Sequence, residues 1–188
     1  MTYKIKKNSS FSSQGWSGGK TTELYIYPEN SNYNKREFDF RLSTASVETE
    51  VSTFTPLPGI KRTLMVLDGE MTLNHLGHHT KKLNCFESDV FKGEWKTSSI
   101  GKCTDFNLMT MGNTKGTVES LHANKGKKVV VSFSDNIQHL VIYVYSGRIK
   151  VENETIETGD LAICETPTKS IEIISVEKCD LIISKIFQ

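Results

Sequence analysis

Leu67-Asp68-Gly69-Glu70-Met71-Thr72-Leu73 and Tyr145-Ser146-Gly147-Arg148-Ile149-Lys150-Val151 carry one signal twice. In each, an apolar run reaches a turn that ends in glycine, and an alternating run leaves it. Working outward, Lys61–Leu67 and Gln138–Tyr145 are rich in β-branched and aromatic residues, as are Ser170–Val176 and Cys179–Phe187. Such residues suit a pleated, half-buried surface. Pro58-Gly59, Leu76-Gly77 and Gly159-Asp160 cut the runs at close intervals. No window combines a 3.6-residue apolar period with helix caps. Many short strands at this spacing predict a sandwich or barrel.

The two copies extend over Leu64–Leu83 and Leu140–Glu157, the second closing on Gly159-Asp160-Leu161-Ala162. Their rhythm resembles the core of a cupin barrel. Two copies predict an all-β bicupin, two tandem cupin-like (RmlC-like jelly-roll) β-barrels. The turn-rich stretch Gly112-Asn113-Thr114-Lys115-Gly116 marks the join. Residues 1–112 then form an N-terminal barrel expected to hold a ligand pocket, and residues 113–188 a C-terminal barrel, with exchange of strands between them allowed.

The chain has 188 residues, and 23 Lys+Arg against 22 Asp+Glu leave a formal net charge of +1. So flat a balance argues against a nucleic-acid partner, which calls for a basic surface. No stretch approaches the roughly 20 apolar residues of a membrane span. The opening Met1-Thr2-Tyr3-Lys4-Ile5-Lys6-Lys7-Asn8 is too polar for a signal peptide. Cys85, Cys103, Cys164 and Cys179 form no CxxC pair and read as reduced structural thiols. The expected location is therefore the cytoplasm, away from membranes.

Candidate chemistry is sparse. His75, His78 and His79 surround Leu76-Gly77, a hairpin turn, and are expected to face solvent. They lack the alternation that would aim imidazoles at one interior point. His122 and His139 stand alone. No metal and no cofactor are therefore predicted. Ser17-Gly18-Gly19-Lys20-Thr21 lacks the spacing and helix of a phosphate loop, and a close backbone approach explains its glycines.

Alternation sorts the remaining polar residues. Arg41 and Ser43 share a face opposite Phe40 and Leu42, while Asp105, Asn107 and Met109 share a face opposite Phe106 and Leu108. Arg62 runs in register with Leu64 and Val66, which sends a guanidinium toward an apolar interior. There it needs a carboxylate partner or an anionic ligand. Read singly, each of these residues is better explained by a structural role, most often a solvated strand face. Read together, two arginines with Asp105 and Asn107 suit a small carboxylate, which guanidinium binds through parallel hydrogen bonds.

Three strings carry a resemblance. They are Trp16-Ser17-Gly18-Gly19-Lys20-Thr21-Thr22-Glu23, Phe40-Arg41-Leu42-Ser43-Thr44-Ala45-Ser46-Val47 leading to Pro58-Gly59 and Arg62, and Asp105-Phe106-Asn107-Leu108-Met109. With Phe91-Lys92-Gly93-Glu94, they resemble the HutD/Ves family of bicupins. The resemblance runs from Trp16 into the C-terminal barrel and is strongest up to Met109. It implies a pocket of Trp16, Arg41, Ser43, Arg62, Phe91, Asp105, Asn107 and Met109. It also implies a non-catalytic protein that binds a carboxylate metabolite similar to N-formylglutamate, linked to regulation of histidine utilization or to a stress response. A metal-independent enzyme of isomerase or epimerase type and a structural or interaction protein are the alternatives. Homodimer formation is left open.

Overall fold

The computed structural model describes residues 3–133, 136–167 and 170–188. Nineteen strands lie among the described residues, with no α-helix and only two short 3-10 turns, Asn8–Ser10 and Tyr33–Lys35. β1 (Tyr3–Lys6), β2 (Ser12–Trp16), β3 (Gly19–Tyr27), β4 (Phe40–Val47), β5 (Val51–Thr53), β6 (Ile60–Gly69), β7 (Met71–His75), β8 (Thr80–Leu83), β9 (Ser88–Lys92), β10 (Thr97–Ile100) and β11 (Cys103–Met111) come first. β12 (Lys115–Ala123), β13 (Lys128–Ser132), β14 (Ile137–Ser146), β15 (Arg148–Val151), β16 (Glu154–Glu157), β17 (Leu161–Glu165), β18 (Ser170–Ser175) and β19 (Cys179–Phe187) follow.

The chain divides into two compact units, Phe11–Thr114 and a discontinuous one of Met1–Ser10 with Lys115–Gln188. The first contains a six-stranded sheet, β2-β3-β4-β11-β6-β9, and a four-stranded sheet, β5-β10-β7-β8. The second contains a five-stranded sheet, β1-β17-β14-β19-β12, and a four-stranded sheet, β13-β18-β15-β16. Raising each number in β4-β11-β6-β9 and β5-β10-β7-β8 by eight yields β12-β19-β14-β17 and β13-β18-β15-β16. The units are therefore one jelly roll written twice. β2 and β3 extend the larger sheet of the first, and β1 that of the second.

In each unit the apolar faces of the two sheets meet in the core. Leu64, Val66, Met71, Leu73, Leu83 and Phe91 form one such cluster in the first unit. Leu140, Ile142, Ile149, Ile173, Leu181 and Ile183 do so in the second. The repeated turns are equally alike. A Cβ on Gly69 would lie 2.5 Å from the Lys102 carbonyl oxygen, and one on Gly147 would lie 2.2 Å from that of Lys178. Both glycines have positive φ, 78° and 81°. Glycine is needed for the turn and for the strand that crosses close behind it.

The described N-terminal residues Tyr3–Ser10 join the second unit, where the sequence division at residue 112 sets them in the first while allowing exchange of strands. β1 pairs antiparallel with β17, Tyr3 opposite Cys164 and Lys6 opposite Leu161. A short strand alone cannot satisfy its backbone groups, and the free edge of β17 supplies the partners. Asp160 secures the segment by accepting hydrogen bonds from Lys7 Nζ at 2.8 Å and from the Asn8 backbone N–H at 3.0 Å. No described helix is long and apolar enough to cross a membrane. The cysteines are free thiols, Cys85 exposed and Cys103, Cys164 and Cys179 buried.

Candidate functional site

The site is built by cross-strand register in the first unit. Met109 on β11 lies opposite Arg41 on β4 and opposite Arg62 on β6. One step of two residues along β11, Asn107 faces Ser43 and Leu64. A further step brings Asp105 opposite Ala45 and Val66. The period of two puts these side chains on one face of the sheet. The opposite face carries Phe40, Leu42, Phe106 and Leu108, each 0–1% exposed.

That face lines a cavity of about 560 Å³, within the range typical of small-molecule sites. Trp16, Arg41, Ser43, Arg62, Asp105, Asn107 and Met109 all border it. Phe91 does not. Its ring lies under the Arg62 guanidinium, 5.2 Å from Cζ to the centroid, with Phe54 at 4.8 Å. Two aromatic faces thus support a cation that is 8% exposed.

Arg62 and Asp105 communicate through Asn107. Arg62 donates to Asn107 Oδ1 from Nη2 at 2.8 Å and from Nε at 3.3 Å. Asn107 Nδ2 in turn donates to Asp105 Oδ1 at 2.6 Å. Burial lowers the Arg62 pKa to about 10 against the upward pull of Asp105, and the group stays cationic at neutral pH. Burial also pushes the Asp105 carboxyl up to about 6, although Arg62 and the Asn107 amide both favour its charged form. Among the described residues, Arg62 Nη1 has no hydrogen-bond partner.

Arg41 is held differently. Its Nε donates to Glu23 Oε2 at 2.7 Å and its Nη1 to Ser43 Oγ at 3.3 Å. Its Cζ sits 4.2 Å from the Tyr33 ring centroid. Tyr33 opens a 3-10 turn capped by Asn32, whose Oδ1 accepts from the backbone N–H groups of Asn34 at 2.9 Å and Lys35 at 3.3 Å. Trp16 also borders the cavity, and Gly18 makes room for it. A Cβ at residue 18 would lie 2.0 Å from the indole ring.

The HutD family profile matches residues 8–182, almost the whole chain. The chain belongs to the HutD family. HutD from Pseudomonas fluorescens SBW25 (formate condition) is 20% identical, with 100% of this chain and 99% of that one aligned at a TM-score of 0.74. PA5104, a conserved protein of unknown function from Pseudomonas aeruginosa PAO1, is 17% identical over 100% of both chains at 0.82. The Escherichia coli pirin YhhW, solved in complex with nickel(II), is 10% identical over 98% of both chains at 0.75. At these identities the solved structures establish the cupin fold alone. A search of curated protein sequences returned no match.

This HutD-family chain also places residues that sequence reasoning missed. Glu23 closes the Trp16–Glu23 string, yet only the β3–β4 register, with Glu23 opposite Ser43, shows that it meets Arg41. Tyr33 lies outside any strand and had no periodic signal. The histidine reading needs correction. His75 is 1% exposed and does not face solvent. It is the last residue of β7, where alternation carries it inward after Met71 and Leu73. Its Nε2 lies 3.0 Å from Asp89 Oδ2.

Proposed function

We propose that this HutD-family bicupin binds a small carboxylate metabolite in the cavity of its first unit and acts by binding, without catalysis. An N-formylglutamate-like dicarboxylate fits the chemistry, with a role in regulating histidine utilization or a stress response in the cytoplasm. The observation that carries the reading is the buried Arg62. Asn107 takes its Nε and Nη2, aromatic rings support its plane, and Nη1 remains for an incoming oxygen. A buried guanidinium with unfilled donors favours an anion. Arg41 borders the same cavity as a second cation, and Ser43 adds a hydroxyl.

Calorimetric titration of N-formylglutamate, glutamate and formate tests the reading. A charge-assisted hydrogen bond contributes roughly 1.5–3 kcal/mol. Arg62→Ala is therefore expected to weaken binding at least about tenfold, with Arg41→Ala acting in the same direction. Unchanged affinity in both variants defeats the assignment, and wild type that binds none of the three acids defeats the function.

Asp105 favours a second reading, metal-independent proton transfer on a small acid. A carboxyl raised to about 6 in a ligand-sized cavity suits a general base. Incubation of the same acids in deuterated water decides it. Deuterium appearing at the carbon next to a carboxylate selects the enzyme, and its absence with intact binding selects the binding module.

A further inference from the structure

A second constellation lies outside the cavity lining. Alternation on β7 and β9 sends His75 and Asp89 inward, 1% and 6% exposed. The turn after β7 then brings His79 back. The His78 backbone N–H donates to the His75 carbonyl, and the His75 N–H donates to the His79 carbonyl, both at 2.9 Å. His79 Nε2 ends 2.8 Å from Asp89 Oδ2, the oxygen that His75 Nε2 approaches at 3.0 Å. The donor atoms of all three residues lie within 4.8 Å of one another.

A hydroxyl behind His75 supports the tautomer that a metal ligand needs. Thr97 Oγ1 is 3.3 Å from the Trp95 carbonyl oxygen and 2.8 Å from His75 Nδ1. With its proton on that carbonyl, the hydroxyl can accept Nδ1–H. In that tautomer the neutral ring turns its Nε2 lone pair toward Asp89, and a bound cation replaces the proton that otherwise links Nε2 to the carboxylate. An acceptor behind the rear nitrogen is also the outer support that metal-bound imidazoles use.

We propose that His75 Nε2, His79 Nε2 and Asp89 Oδ2 bind one divalent first-row transition ion, with Zn²⁺ as the reference. Two imidazoles and one carboxylate are a ligand set for such ions. Bonds of about 2.0–2.2 Å put tetrahedral ligands roughly 3.4 Å apart, between the short contacts and the outer limit seen here. The His79 side chain is 41% exposed, which leaves the fourth position to water. Packing holds the rest of the set. The His75 ring lies 4.4 Å from that of Phe91 and 5.5 Å from that of Trp95, and the Val90 N–H and Lys81 Nζ approach the other Asp89 oxygen at 2.9 and 3.8 Å. His78 stacks on Trp95 at 3.8 Å instead of joining the set.

The test uses full-length, tag-free protein stripped with chelator and then titrated with ZnCl₂ by calorimetry and with CoCl₂ by visible absorption. The expected result is one equivalent with a Kd of about 10 μM or tighter, a cobalt ligand-field band, and a higher Tm at about a hundredfold excess over the Kd. His79→Ala at the exposed ligand, and Asp89→Asn beside it, should each weaken binding at least about tenfold. His122→Ala controls for surface binding, because exposed His122 faces Asp180 Oδ1 at 2.8 Å in the other unit, and it should change nothing. Three results overturn the site: no saturable binding below about 100 μM, undiminished affinity in His79→Ala, or loss of the bound equivalent in His122→Ala.

Discussion

Burial holds the Asp105 carboxyl at about 6, and that value governs two pH responses. The folded protein keeps this proton more tightly than the unfolded chain, whose carboxyl titrates near 4. The resulting stabilisation is fully present below about pH 4 and is lost as the pH rises through about 6. Anion binding follows the same sign. Protonation removes a negative charge from the cavity that holds Arg62, so the affinity for formate or N-formylglutamate should rise about tenfold between pH 7.5 and 5.5. Asp105→Asn should bind at pH 7.5 as wild type does at 5.5 and lose the pH dependence. Calorimetry at the two pH values checks this, and a wild-type Kd that is flat across the range counts against it.

Between elements, the repeated glycine turn makes the sharpest prediction. Gly147→Ala would force a Cβ to within 2.2 Å of the Lys178 carbonyl oxygen at a φ of 81°. Gly69→Ala meets the same obstacle at 2.5 Å from the Lys102 carbonyl oxygen. Each variant should lose about 2 kcal/mol or more in urea unfolding, beyond the small effect expected of a surface alanine. The sequence already held these turns and the strands beside them, because period-two alternation and glycine are local signals. Alternation also sorted Arg41 with Ser43 and Asp105 with Asn107. It left open which strands are neighbours, and the meeting of Arg62 with Asn107 is a product of that register. The Leu76-Gly77 turn suggests exposure for all three imidazoles, because a hairpin tip points outward. His75 is instead the last inward position of β7, and its partner Asp89 lies on β9, beyond the reach of local pattern.

Over the whole chain, the division of labour is uneven. The candidate pocket and the proposed metal ligands all lie in Phe11–Thr114, while the N-terminal segment packs in the other unit. Ile5 on β1 packs against the core that contains Leu140 and Ile183. Ile5→Asp should therefore destabilise the second unit by about 1–3 kcal/mol, since a carboxylate there is partly desolvated. Anion affinity in the first unit should be unchanged. Thermal unfolding together with calorimetry separates the two effects, and a loss of anion binding in folded Ile5→Asp protein contradicts the separation.

The pairing of Tyr3 with Cys164 also fixes an order of assembly during translation. Chain emerges from the ribosome N-terminus first, and domains fold as they become complete. Phe11–Thr114 is contiguous and can close while the remainder is still being made. Tyr3–Lys6 is synthesised earlier than any of it, yet its dock at Leu161–Glu165 is among the last segments to appear. For most of synthesis it waits as an unpaired strand, the kind of edge on which nascent chains aggregate. Lys4, Lys6 and Lys7 are suited to that interval, because a lysine-rich strand is repelled by copies of itself on neighbouring nascent chains. A segment made before the first unit thus docks after it, carrying like charge through the interval.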